Sequence, residues 1–157
     1  MDRLSELLEL ARGRAAKLSA PYAGAFTPAE AHEVLQLLPE AKLVDVRTRA
    51  EWDWVGRVPG AIEIELMSYP GNALNALFGH AIEAAAGNKD TPLLFLCRSG
   101  GRSHNAATAL AAAGFTRCYN VLEGFEGDKD ASGRRHGTRR GCLRPTGQVG
   151  PPERACP

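Results

Sequence analysis

The 157-residue chain has the length of one domain, enough to bury roughly two thirds of its unfolded surface. Its apolar content of 44% and charged content of 24% are those of an ordinary globular protein, and a formal charge of +1 supplies no global field for nucleic acid or membrane partners. The balance is uneven along the chain, however: residues 1–126 hold 12 Lys and Arg against 15 Asp and Glu, whereas residues 127–157 hold 7 against 3.

The opening MDRLSELLELARGRAAKL carries Leu4, Leu7, Leu8 and Ala11 at helical spacing, which predicts an amphipathic helix over 2–18. It lacks the uninterrupted apolar core of a signal peptide, and nothing downstream approaches the ~18 apolar residues of a membrane span, so a cytoplasmic protein is expected. Ala20 to Gly24 breaks the pattern. Thr27-Pro28-Ala29-Glu30 is a capping box with Pro at the first helical position, starting a helix that runs to about Leu38. Lys42 to Val46 reads as a short strand, and Thr48-Arg49-Ala50-Glu51 opens a brief helix straight after it. Gly56 and Pro59-Gly60 mark a loop before a strand over 61–64, and residues 72–86 read as a helix. Pro92 to Leu96 is a continuous apolar run, as in a strand buried on both faces. A polar, Gly-rich loop from Cys97 to Ser103 follows, then a helix over 104–113 and a strand over 118–122.

This alternation predicts an α/β fold, a mostly parallel sheet flanked by helices on both faces, with its site at the carboxyl ends of the strands. Three segments are expected: the N-terminal helix over 1–20, the domain over 21–126, and a basic tail over 127–157. With 6 Gly and 4 Pro among its 31 residues, the tail is expected to be loosely ordered.

The four cysteines, Cys97, Cys118, Cys142 and Cys156, show no CxxC spacing or metal-ligand rhythm, so neither metal nor cofactor is expected. Cys97-Arg98-Ser99-Gly100-Gly101-Arg102-Ser103 stands apart. Its glycines let several backbone N–H groups converge on one point, the next helix adds its positive end, and Arg98 and Arg102 add full charges. A thiol so placed is expected to ionise readily, and the same surroundings suit a small anionic substrate. The bland alternative is an inert core cysteine. Cys118, in a strand, is expected to be such a packing residue, and Cys142 and Cys156 are expected to be exposed in the tail.

Four motifs in order resemble the rhodanese family over roughly residues 25–126. Leu43-Val44-Asp45-Val46-Arg47 is similar to its Asp-x-Arg strand end. Glu51-Trp52 and then Gly56-Arg57-Val58-Pro59-Gly60-Ala61 are similar to its Glu-aromatic and Gly-His-Ile-Pro-Gly-Ala stretches, with Arg57 in place of the usual His. The Cys97 loop resembles its Cys-Arg-x-Gly-x-Arg loop, and Asn120-Val121-Leu122-Glu123-Gly124-Phe125 resembles its last strand. The resemblance implies that Cys97 takes a sulfane sulfur from thiosulfate or a persulfide donor and passes it to cyanide or a thiol, a protein sulfur acceptor included. The amides of Arg98 to Arg102 would hold the transferred sulfur's charge, with Ser99, Gly100, Gly101 and Ser103 completing the loop. Asp45 and Arg47, at a strand end, could be catalytic, but the favoured reading is a supporting one, an ion pair or backbone hydrogen bonds that orient the loops.

Two rivals are weighed. A cysteine phosphatase wraps phosphate with Cys-x5-Arg, whereas Cys97 to Arg102 is the shorter Cys-x4-Arg, suited to a single sulfur. A non-catalytic sulfur-carrier, sensing or protein-binding module of the same fold is the other. His104 could touch substrate or be simply solvated.

Overall fold

In the computed structural model, which describes residues 1–129, 131 and 132, the two capping boxes form as predicted. Thr27 accepts from the Glu30 amide while Glu30 reaches back to the Thr27 amide, and Thr48 and Glu51 repeat the exchange. They start α2 (Pro28–Leu37) and α3 (Arg49–Trp54). The other elements are α1 (Arg3–Lys17), β1 (Gly24–Phe26), β2 (Lys42–Asp45), β3 (Ile62–Glu63), α4 (Phe78–Ala86), β4 (Leu93–Leu96), α5 (Gly101–Ala112) and β5 (Cys118–Val121).

The five strands are all parallel, in the order β1-β5-β4-β2-β3. The apolar run of β4 is buried along its whole length, and its side chains alternate between two cores. Leu93 and Phe95 join Val44, Ile82 of α4 and Ala106, Ala107 and Leu110 of α5 on one face. Leu94 and Leu96 join Leu7 and Ala11 of α1 and Ala31 and Val34 of α2 on the other. Helices therefore cover both faces, as the alternation predicts.

From β2 the chain turns outward to β3, and from β4 it turns the opposite way to β5. The carboxyl ends of β2 and β4 lie side by side at that reversal, with Asp45 paired to Leu96 and the Val46 amide on the Leu96 carbonyl at 2.9 Å. In open α/β sheets this is where ligands bind. Cys97 is the next residue.

Three boundaries differ from expectation. Strand β1 was not foreseen; it is three residues long and exists through its pairing with β5. Helix α4 begins at Phe78 rather than 72, because Asn75 directs the preceding backbone elsewhere: its amide donates to the Leu66 carbonyl at 2.8 Å and its Oδ1 accepts from the Leu77 amide at 3.0 Å. Helix α5 begins at Gly101 rather than 104, which puts Arg102 and Ser103 in its first turn. The expected loose tail, with Cys142 and Cys156, lies outside the described residues beyond its first few positions. Among the described residues no helix is long and apolar enough to cross a membrane.

Candidate active site

The loop after β4 is shaped by two glycines. Gly100 has φ +104°, a conformation that L side chains rarely adopt, and its amide turns back to donate to Cys97 Sγ at 3.1 Å. Gly124, just past β5, lies directly against the loop: a Cβ there would meet the Cys97 carbonyl oxygen and Arg98 backbone at 2.5 Å. Beside it the Phe125 amide donates to the Cys97 carbonyl at 2.8 Å and the Glu126 amide to that of Arg98 at 2.9 Å. The segment after the last strand thus holds the loop in its curl.

Cys97 is a free thiol, 1% exposed, at the border between the apolar core and this polar loop. Its second polar neighbour is Ser103, whose Oγ lies 3.3 Å from Sγ. Ser103 is itself buried and donates to Asn120 Oδ1 at 2.6 Å, while Asn120 Nδ2 donates to the Gly100 carbonyl at 3.3 Å. Sulfur, hydroxyl, amide and loop backbone form one closed polar circuit. Ser99 is partly exposed in the loop, and Gly101 is exposed at the mouth of α5.

The two loop arginines are each seated on a carboxylate. Arg98 Nε lies 3.1 Å from Glu126. Arg102 grips Glu51 with both nitrogens, Nη1 to Oε1 at 2.6 Å and Nη2 to Oε2 at 2.9 Å. Burial pushes the Glu51 carboxyl up, but the hydrogen bonds and charge of Arg102, with bonds from Thr48, outweigh it and hold the group below the usual carboxylate range. Arg102 is correspondingly raised, chiefly by its bonds to Glu51, and stays charged beside the sulfur.

Asp45 and Arg47 form a fully buried pair at the end of β2. Arg47 Nη2 donates to Asp45 at 2.7 Å and to the Gly56 carbonyl at 2.8 Å, and the guanidinium lies 4.1 Å from the centre of the Phe125 ring. This brings together the β2 end, the Gly56 turn and the segment that supports the Cys97 loop. Trp52 is buried, and His104 holds the Tyr22 hydroxyl at 2.8 Å through Nδ1. Cys118 is the buried first residue of β5, its thiol pushed up to about 12 by desolvation, which makes it inert.

A cavity of about 730 Å³ opens against the loop, walled by Glu51, Trp54, Met67, Tyr69, Arg98 and Arg102. Trp54 is 88% exposed and Tyr69 69% exposed at its rim. Among the described residues no cluster of His, Cys, Asp or Glu could hold a metal ion. Sequence reasoning missed the Glu51 partnership and the place of Asn120. A polar residue inside the apolar strand Cys118-Tyr119-Asn120-Val121 was the available signal.

Residues 30–131 match the rhodanese-like domain. The chain belongs to the rhodanese family. Among solved structures, this rhodanese-like chain is similar to Rv0390 of M. tuberculosis, with 42% identity and a TM-score of 0.64 over 73% of this chain and 89% of that one. It is also 39% identical to the protein RP600 of Rickettsia prowazekii over 105 residues, 66% of this chain and 85% of that one. A more distant relative is thiosulfate sulfurtransferase 16, chloroplastic, of Arabidopsis thaliana, 34% identical over 97 residues, 60% of this chain and 78% of that one.

Proposed function

We propose that this rhodanese-like chain is a sulfurtransferase that carries a sulfane sulfur as a persulfide on Cys97, taking it from thiosulfate or a persulfide donor. The observation that carries the reading is the Gly100 amide directed onto Cys97 Sγ at the first turn of α5, beside the charged Arg102. Partial and full positive charges there favour a thiolate and the growing charge on a leaving anion. The Cys97 thiolate attacks the outer sulfur of thiosulfate, the S–S bond breaks, and sulfite departs with the bonding pair. An acceptor thiolate or cyanide then attacks the outer sulfur of the persulfide and Cys97 leaves as thiolate, so no base is consumed. A reducing compartment such as the cytoplasm suits this cycle, since Cys97 and Cys118 are both free thiols.

Intact-mass analysis after thiosulfate treatment tests the reading. A gain of one sulfur, about 32 Da, that disappears in Cys97→Ser supports it; no gain in the natural chain overturns it.

A second reading, a sulfur-carrying or partner-binding module, is favoured by the exposed Trp54 and Tyr69 at the cavity rim, side chains typical of protein-binding surfaces. Turnover of thiosulfate with cyanide separates the two: steady thiocyanate production belongs to the enzyme, a single stoichiometric loading to the carrier.

A further inference from the structure

Ser103 has one hydroxyl proton and two neighbours able to accept it. Its Oγ lies 2.6 Å from Asn120 Oδ1 and 3.3 Å from Cys97 Sγ. The Asn120 amide cannot be turned round to offer a donor instead. Its Nδ2 already donates to the Gly100 carbonyl, and a flip would set two oxygens against each other there. Oδ1 is therefore an obligate acceptor facing Ser103, in a buried residue where an unfilled acceptor is costly. The Tyr22 hydroxyl is paired with His104 Nδ1 at 2.8 Å.

We propose that Asn120 keeps the Ser103 proton turned away from Cys97, so that the hydroxyl offers the sulfur only lone pairs and steadies the protonated thiol rather than the thiolate. In the sequence Sγ–H to Oγ–H to Oδ1 every proton has one acceptor and no acceptor is left empty. Loss of the thiol proton breaks that order. Either an Oγ lone pair faces the sulfur charge, or the hydroxyl swings round and Oδ1 loses its donor.

Other groups around the sulfur act in the opposite sense. The Gly100 amide donates to it, and Arg102 of α5 interacts electrostatically with both Cys97 and Asp45 of β2. Glu51 of α3 offsets part of the Arg102 charge, and Tyr22 and His104 are paired with each other. Asn120 is thus a positioning residue that decides which side Ser103 takes. The inference deepens the sulfurtransferase reading and rests on it for its consequence, namely how much Cys97 is ionised when a donor arrives.

The test is the ultraviolet absorbance of the Cys97 thiolate against pH in the full chain, taken as the difference from Cys97→Ser. Ser103→Ala is expected to raise the thiolate fraction at a fixed pH on the rising limb about threefold to tenfold, since the acceptor that steadies Sγ–H is gone. A hydroxyl that donated to the thiolate would give a fall, and a fall or no change overturns the proposal. Asn120→Ala is expected to raise the fraction in the natural chain and to add nothing in a Ser103→Ala background. An equal effect in both backgrounds means that Asn120 merely holds β5 in place, and overturns it too. If Asn120→Ala does not fold, Asn120→Ser, too short to reach Ser103, makes the same comparison, and the sign of Ser103→Ala decides alone. Sulfur loading by thiosulfate in the natural chain is scored separately, so either claim can fail without the other.

Discussion

Arg102, in the first turn of α5, and Glu51, in the first turn of α3, are joined by two parallel hydrogen bonds although 51 positions separate them in the chain. The same Glu51 closes the capping box of α3 through Thr48. One carboxylate therefore fixes a helix start beside β2 and the cation beside Cys97, and the two loops at the sheet's rim behave as a unit.

Glu51→Gln should make that coupling visible as a pH dependence. The folded state holds the Glu51 carboxyl below its ordinary value of 4.5, so the unfolded chain takes up the proton first as pH falls. The stability contributed is whole above that value and fades below it as pH drops toward the folded one. Thermal melts should show the variant less stable than the natural chain at neutral pH, with the gap closing in acid. A gap independent of pH would mean that the charge of Glu51 is not what matters.

Gly124→Ala should distort the active-site loop from outside it. The new Cβ would lie 2.5 Å from backbone atoms of Cys97 and Arg98, at φ +62°, with no flexible side chain to yield. A loss of about 2–4 kcal/mol in urea unfolding is expected, together with loss of sulfur loading. Unaltered loading would show that the segment after β5 does not hold the loop.

Asp45→Ala strands a fully buried guanidinium, and the expected cost is about 3–5 kcal/mol. Replacing both partners, Asp45→Leu with Arg47→Met, should cost less than Asp45→Ala alone, because no charge is left behind. Chemical denaturation of the three proteins orders them directly, and a double variant weaker than the single one would mean that the Gly56 and Phe125 contacts of Arg47 outweigh its charge.

Cys118→Ala should leave loading by thiosulfate unchanged. Its thiol is buried and pushed up to about 12, so it neither accepts sulfur nor reacts with iodoacetamide at mild pH. Mass spectrometry of the alkylated, folded chain should find Cys118 unlabelled; rapid labelling would mean that β5 opens.

Much of this architecture was legible in advance because its signals are local. Capping boxes at Thr27 and Thr48 and the unbroken apolar run of β4 each specify their element within a few residues, and the elements formed. What escaped depends on distant partners. Three residues of β1 acquire a ladder only when β5 lies beside them, and Asn75 stops the helical pattern at 72–77 through a carbonyl on Leu66. The site divides the same way. Cysteine, glycines and arginines announced themselves in one heptad, whereas the carboxylates that seat the arginines, Glu51 and Glu126, and the amide that engages Ser103 come from other elements. The loop's own residues register two cations; in the fold each has a carboxylate partner.

Helix α1 and strand β1 precede residue 30, where the match to the rhodanese-like domain begins. Yet Leu7 and Ala11 are sealed in the core, and Ala25 is the register partner of Asn120 itself. A version of the chain cut back to the matched span would strip the outer neighbour from the very strand that steers the hydroxyl beside the sulfur. The folded unit that carries the Cys97 loop therefore includes α1 and β1, which precede the matched span.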